Sequence, residues 1–212
     1  MFESGISPTT KQALLRLAKL SSMSKFYLAG GTAVALHVGH RLSFDLDFFS
    51  EGRFDSRSLA KELRRLGEFE AETEEEDTLL GVFEKTKVSF FFLDERLIVT
   101  TSTYGGVRVA AKKDLMAMKV MAISHRGSKR DFIDLYALMA TADLSLEEVL
   151  GLVKKKYGAK TINLTYIIRS LVYFEDADSD QTQLHLLKPV DWERVKGFFE
   201  HEVPQLIHSV RG

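Results

Sequence analysis

Leu28-Ala29-Gly30-Gly31-Thr32-Ala33, followed shortly by Arg41-Leu42-Ser43-Phe44-Asp45-Leu46-Asp47-Phe48-Phe49, decides how this chain is read. A short apolar run, Phe26 to Ala29, stops at two glycines, and Thr32 to Val38 then reads as one or two helical turns. Glycines let a backbone approach a phosphate closely, and a helix start offers free N–H groups to an anion. Phe44 to Phe49 reads as a strand, which puts Asp45 and Asp47 on one face and Phe44, Leu46 and Phe48 on the other, toward a core. Aspartate is depleted in strands. Two like charges side by side repel unless a cation neutralises them, and a hard ion such as Mg²⁺ takes carboxylate oxygens together with substrate phosphates. The structural alternative is a pair of exposed aspartates on a strand edge.

Outward from this stretch, the first part of the chain alternates helix and strand. Pro8 to Leu20 carries apolar residues at helical spacing behind Ser7, a plausible N-cap. Asp55 can cap a helix over Ser56 to Leu66, closed by Gly67. Glu68 to Glu74 alternates acidic and less polar residues with period 2, as a half-exposed strand does. Glu74-Glu75-Glu76-Asp77 reads as a solvated hairpin tip. Leu79 to Glu84 and Val88 to Leu93 follow as strands joined through Lys85-Thr86-Lys87, with a last short strand over Val107 to Ala110. From Lys112 onward the patterns are helical: Asp114 to His125, Lys129 to Ala140, Ser145 to Tyr157, Asn163 to Phe174 and Trp192 to His201. Ser145-Leu146-Glu147-Glu148 fits a capping box. The expected organisation is an α+β domain over 1–110 and a helical domain over 111–212 that completes a cleft.

Composition limits the chemistry. The 212 residues carry no cysteine, which removes disulfides, thiolate metal sites and a cysteine nucleophile, and fits a reducing, cytoplasmic setting. No apolar run reaches the ~18 residues of a membrane span, and the N-terminus lacks a basic segment followed by an apolar one, so neither a membrane partner nor a secretory signal is expected. Net charge is −1, but residues 111–170 hold eleven Lys/Arg against six Asp/Glu, a local surplus of five. Such a surplus serves either solvated helix faces or a surface for triphosphate or RNA.

The Gly-Gly-Thr turn, short helix and Asp-x-Asp strand resemble the nucleotidyltransferases of the polymerase-β-like superfamily. Within it, Tyr27-Leu28-Ala29-Gly30-Gly31-Thr32-Ala33, Leu36-His37, Gly39-His40-Arg41 and Asp45-Leu46-Asp47-Phe48-Phe49 resemble the AbiEii/AbiGii toxin family. So do two later blocks, Lys119 to Gly127 and Lys129 to Tyr136. The resemblance implies an α+β fold with a mixed sheet and helices, followed by a C-terminal helical bundle. It implies a Mg²⁺-dependent transfer of a nucleotide from an NTP to RNA, notably a tRNA end, or to a protein hydroxyl. It also implies a cognate antitoxin protein as partner. Carried over residue by residue, Gly30, Gly31 and Thr32 form the phosphate turn, and Asp45 and Asp47 hold the metal. Lys119 neutralises phosphate charge, Asp131 serves as a general base or positioning group, and Arg41 and Arg126 contact phosphates.

Each role has a structural counterpart. Lys119 lies among Met116, Val120 and Ile123 and can snorkel from a partly buried helix. Ser128-Lys129-Arg130-Asp131 fits a capping box, and Asp131 and Asp134 share a helix face that can pair with Arg126 or Arg130. His37 and His40 fit packing or loop roles better than metal ligation. One departure stands out. Many relatives place a third carboxylate on a later strand, whereas the corresponding stretch here, Lys87 to Phe92, offers Ser89. That keeps open a protein that binds nucleotide without transferring it and acts through a partner. A third reading is a helical RNA-binding module on an inert α+β scaffold.

Overall fold

The computed structural model describes the backbone of residues 1–211 and the side chains of residues 1–206. The Ser7 hydroxyl accepts the Thr10 N–H (3.1 Å) with Pro8 in the first turn, and α1 (Pro8–Leu17) follows. After a 3₁₀ turn come β1 (Phe26–Ala29), α2 (Gly30–Val38) and β2 (Leu46–Ser50). Next is α3 (Ser56–Leu66), whose Asp55 cap accepts the Arg57 and Ser58 N–H groups at 3.0 and 3.2 Å. A meander of β3 (Phe69–Glu75), β4 (Thr78–Phe83) and β5 (Thr86–Phe92) leads to a small hairpin, β6 (Ser102–Tyr104) and β7 (Val107–Val109). The rest is helical: α4 (Lys112–Arg126), α5 (Lys129–Ala142), α6 (Leu146–Tyr157), α7 (Leu164–Ser170), α8 (Glu175–Ser179) and α9 (Trp192–Arg211).

The strands form one sheet in the order β3-β4-β5-β2-β1-β7-β6. β1 runs antiparallel to β2 and parallel to β7, and β2 runs parallel to β5. In β2, Leu46, Phe48 and Ser50 are buried while Asp47 and Phe49 are half-buried. One sheet face is therefore core and the other is left partly open. Apart from Gly30 and Gly31, every residue of α2 except His37 is buried, so this helix lies between the sheet and α4/α5. A single hydrophobic cluster extends from Ile6 to Leu206.

Several local expectations differ from the structure. β2 begins at Leu46, not Phe44, because residues 43–44 are held by the N-terminal segment instead of by a neighbouring strand. The Ser43 N–H donates to the Gly5 carbonyl (2.9 Å) and the Thr10 hydroxyl to the Phe44 carbonyl (2.8 Å). Phe44 consequently turns outward, 44% exposed, and not into the core. The β4–β5 turn is Glu84-Lys85, both at positive φ (46° and 65°) as a two-residue type I′ hairpin requires, so Thr86 and Lys87 belong to β5. The acidic tip is only partly solvated, since Asp77 folds back to accept the Phe54 N–H (2.9 Å). The helix expected to reach Phe174 stops at Ser170, and α9 continues past Pro204.

A buried ion pair ties α4 to α6. The Asp114 carboxylate accepts the Ile98 and Val99 N–H groups (2.8 and 3.1 Å) and the Lys156 ammonium (3.0 Å). Both side chains are fully buried. Removing one member leaves the other charged and unpaired, at a cost of about 3–5 kcal/mol. Asp114→Ala should lower unfolding free energy by that order in urea titrations. Lys156→Met, which leaves Asp114 its two N–H donors, should cost less.

Candidate active site

The end of β1 abuts the start of β2, so Ala29 lies opposite Asp47, and Ser89 of β5 pairs with Asp47 on its other side. Gly30 has φ +62°, and a Cβ there would overlap the Asp47 carboxylate. A Cβ at Gly31 would overlap the Arg41 guanidinium. Both glycines are thus required by the side chains crowding the turn. α2 starts here without a side-chain cap, leaving its first N–H groups to an anion.

Thr32 is placed differently from its glycine neighbours. Its hydroxyl is buried against Ser43 Oγ (2.8 Å) and the Asp45 carbonyl, where it braces the segment carrying Asp45. Ser43 takes the place in the cavity wall.

Behind the aspartates lies a buried charge network. Lys119 of α4 bridges Asp131 (2.8 Å) and Asp134 (2.7 Å) of α5. Asp134 also receives two bonds from Arg41, through Nε (2.7 Å) and Nη2 (2.9 Å), and lies 2.7 Å from His40 Nε2. Asp131 receives Nε (2.7 Å) and Nη2 (3.0 Å) of Arg126 and the Ser128 hydroxyl (2.6 Å). The capping box expected at Ser128 is not formed, because Ser128 donates to the carboxylate it would have paired with. The His37 ring hydrogen-bonds the Ala110 carbonyl (2.8 Å).

The charges explain the proton affinities. Burial alone would raise Asp131 and Asp134. Lys119, with Arg126 on the first and Arg41 on the second, overrides it and holds both far below the usual carboxylate range. Asp47 behaves oppositely: burial and then the Asp45 charge push it up, and Lys119, Arg126 and the Ser89 hydroxyl only partly offset this. Three permanent cations therefore face two inner carboxylates, leaving one positive charge directed toward Asp45 and Asp47.

Two cavities meet at Gly30, Asp47, Lys119 and Arg126. The first, about 310 Å³, is polar and is lined by Gly31, Arg41, Ser43 and Asp45, with Arg130 and residues 182–185 on its far wall. The second, about 540 Å³, is apolar and is lined by Phe49, Phe91, Met118, Met121 and Tyr157, with Ser89 near Asp47. Among the described residues, no group of three or more His, Cys, Asp or Glu side chains is placed to hold a metal alone. Nor is any helix among them long and apolar enough to cross a membrane.

The profile of the family described as nucleotidyl transferase AbiEii toxin, type IV toxin–antitoxin system, matches residues 12–210. The chain belongs to this family. It is a nucleotidyltransferase of the AbiEii type. Uncharacterized protein aq_aa25 of Aquifex aeolicus (strain VF5) is 37% identical over 203 residues, covering 94% of this chain and 96% of that one. In solved structures, the fold is similar to the nucleotidyltransferase toxin MenT4 of Mycobacterium tuberculosis H37Rv (TM-score 0.51, 16% identity, 92% of this chain and 82% of that one). It is also similar to JHP933 of Helicobacter pylori (TM-score 0.51, 16% identity, 94% and 93%).

His40, which the sequence suits to a packing or loop role, is buried in the loop after α2 and shares a hydrogen bond with Asp134. The i, i+3 spacing of Asp131 and Asp134 was the available signal. Arg130 reads from sequence as a structural partner, and nothing local marks the 182–185 segment, which pairs with residues some 140 positions earlier. The inner carboxylates also set a pH dependence. Their folded values lie below the unfolded value of about 3.9, so their stabilisation is complete above that pH and drains as pH falls below it. Urea midpoints should decline steeply as pH falls from about 4 to about 2, and more shallowly in Asp134→Asn.

Proposed function

We propose that the chain transfers a nucleotidyl group from an NTP to an acceptor hydroxyl on RNA, with Mg²⁺ held by Asp45 and Asp47. The observation that carries this is the pair of aspartates against the Gly30-Gly31 turn, where burial and mutual repulsion work against the ionised form of Asp47 and so call for a cation. Two carboxylates are too few to complete the shell of a hard ion, which suits a site finished by substrate phosphates. When bound there, Mg²⁺ supplies charge neutralisation along an in-line displacement.

The residues divide the remaining work. The first turn of α2 offers N–H groups to the β- and γ-phosphates. Arg126 is half-exposed at the meeting of the two cavities and faces the developing negative charge. Lys119 and Arg41 are fastened by Asp131 and Asp134, so their positive field is fixed before substrate arrives. Asp131 acts as a positioning residue, because its oxygens are occupied and it stays ionised. The acceptor enters through the apolar cavity, where Asp47 is the single carboxylate among the lining residues. Its hydroxyl oxygen attacks the α-phosphorus, the bond to the bridging oxygen breaks, pyrophosphate leaves with that electron pair, and the hydroxyl proton passes to solvent water.

Ser89 beside Asp47 supports a second reading, nucleotide binding without transfer. Incubation with each labelled NTP, Mg²⁺ and total RNA separates the two. Transfer predicts Mg²⁺-dependent label on RNA that falls at least a hundredfold in Asp45→Ala, a loss typical of removing a charge-stabilising group. Bound nucleotide with no labelled product supports the second reading. The same variant should relieve growth arrest on expression, with a cognate antitoxin relieving it for the wild type.

Asp47→Asn removes a charge but not a shape. It should raise the melting temperature at pH 7, where the native aspartate is held against its repulsive partner. Mg²⁺ with a non-hydrolysable NTP should stabilise the wild type and leave the variant nearly unmoved. A variant less stable than the wild type would contradict the charge argument.

A further inference from the structure

The far wall of the polar cavity is a strap, residues 182–188, that lies between α8 and α9 and crosses the loop between α2 and β2. Its hold is mainly through the backbone. The Leu42 N–H donates to the His185 carbonyl (2.8 Å), and the Leu187 and Lys188 N–H groups donate to the His40 carbonyl (2.9 and 3.1 Å). The Lys188 ammonium closes the far end on the Val38 carbonyl (3.0 Å). Backbone anchoring leaves the polar groups of Gln183 and His185 without a hydrogen-bonding task. Gln183 and His185 line the cavity, are exposed, and make no side-chain hydrogen bond among the described residues.

Opposite them stands Phe44. It precedes Asp45, lines the same cavity and is 44% exposed, with the His185 ring edge-on at 5.3 Å. The backbone pairing of residues 43–44 with the N-terminal segment holds this ring in the cavity wall, where a planar ligand can reach it. The cavity runs from the Gly30-Gly31 turn to the strap, so a nucleotide with its phosphates on the turn would present its base to these groups.

We propose that Phe44 and the strap form the nucleobase subsite, with the base against the Phe44 ring and its polar edge hydrogen-bonded by the Gln183 amide and the His185 imidazole. This rests on the nucleotidyl-transfer reading and adds to it the residues that select the base. An aromatic face serves any base, whereas fixed donors and acceptors discriminate among them. Selectivity is therefore assigned to Gln183 and His185, and affinity to Phe44. The apolar cavity across Asp47 remains for the acceptor.

The test compares ligands with and without a base. Binding of the four α,β-methylene nucleoside triphosphates and of inorganic tripolyphosphate, all with Mg²⁺, is measured by calorimetry on the full chain. Phe44→Ala should weaken the preferred nucleotide about tenfold, within the range of base–aromatic stacking, and leave tripolyphosphate unchanged. Gln183→Ala and His185→Ala should compress the preference among bases, again without affecting tripolyphosphate. Phe91→Ala, in the apolar cavity, should affect neither ligand class. Equal weakening of nucleotide and tripolyphosphate would overturn the proposal. So would a wild type indifferent to the base, or a nucleotide-only loss appearing in Phe91→Ala instead of Phe44→Ala. A wild type that binds none of these ligands fails earlier and removes the nucleotidyl-transfer reading itself.

Discussion

The site depends on one buried carboxylate. Asp134 has no exposure to solvent, and it joins three elements distant in sequence: His40 and Arg41 from the loop after α2, Lys119 from α4, and its own helix α5. A lone ionised carboxylate in such a place would be prohibitively costly. With a bidentate arginine and a lysine it becomes the fixed point against which the helices register on the sheet. Asp131 repeats the arrangement one turn earlier and captures Arg126. Because a guanidinium fork fits a carboxylate in one orientation, these contacts fix direction as well as proximity.

That inner layer makes the outer one tolerable. Asp45 and Asp47 stand together at the mouth of a cleft, an arrangement that opposes folding on its own. The surplus positive charge of the network behind them offsets part of the repulsion, and in the proposed reaction substrate with its cation would remove the rest. The fold thus keeps a repelling pair of charges at the mouth of the cavities and stabilises it from a buried network. The two cavities on either side of Asp47 differ in polarity, which suits the two substrates of the proposed transfer. A triphosphate needs cations and N–H groups, and an acceptor base needs apolar and aromatic walls.

Much of this was legible in the sequence, for physical reasons that differ by element. The Gly-Gly turn and the Asp pair were visible because few folds tolerate glycines and charges at those positions. Caps at Ser7, Asp55 and Ser145 were visible because capping is local. Phe44 misled, since alternation along a strand presumes a neighbouring strand, and here the N-terminal segment pairs instead. Thr32 misled in another way. Its residue type suits a phosphate turn, but helix geometry turns its hydroxyl toward Asp45. The strap and the role of His40 were illegible because both depend on contacts between the two ends of the chain. Ser89 was legible as a departure, and the register confirms that it sits beside Asp47.

The most direct measurement is anomalous diffraction from crystals grown with Mn²⁺ and a non-hydrolysable NTP. The account predicts a manganese peak between the Asp45 and Asp47 carboxylates, with the terminal phosphates over Gly30 and Gly31 and near Arg126. Manganese bound elsewhere, or a triphosphate lying in the apolar cavity beneath α4, would contradict it.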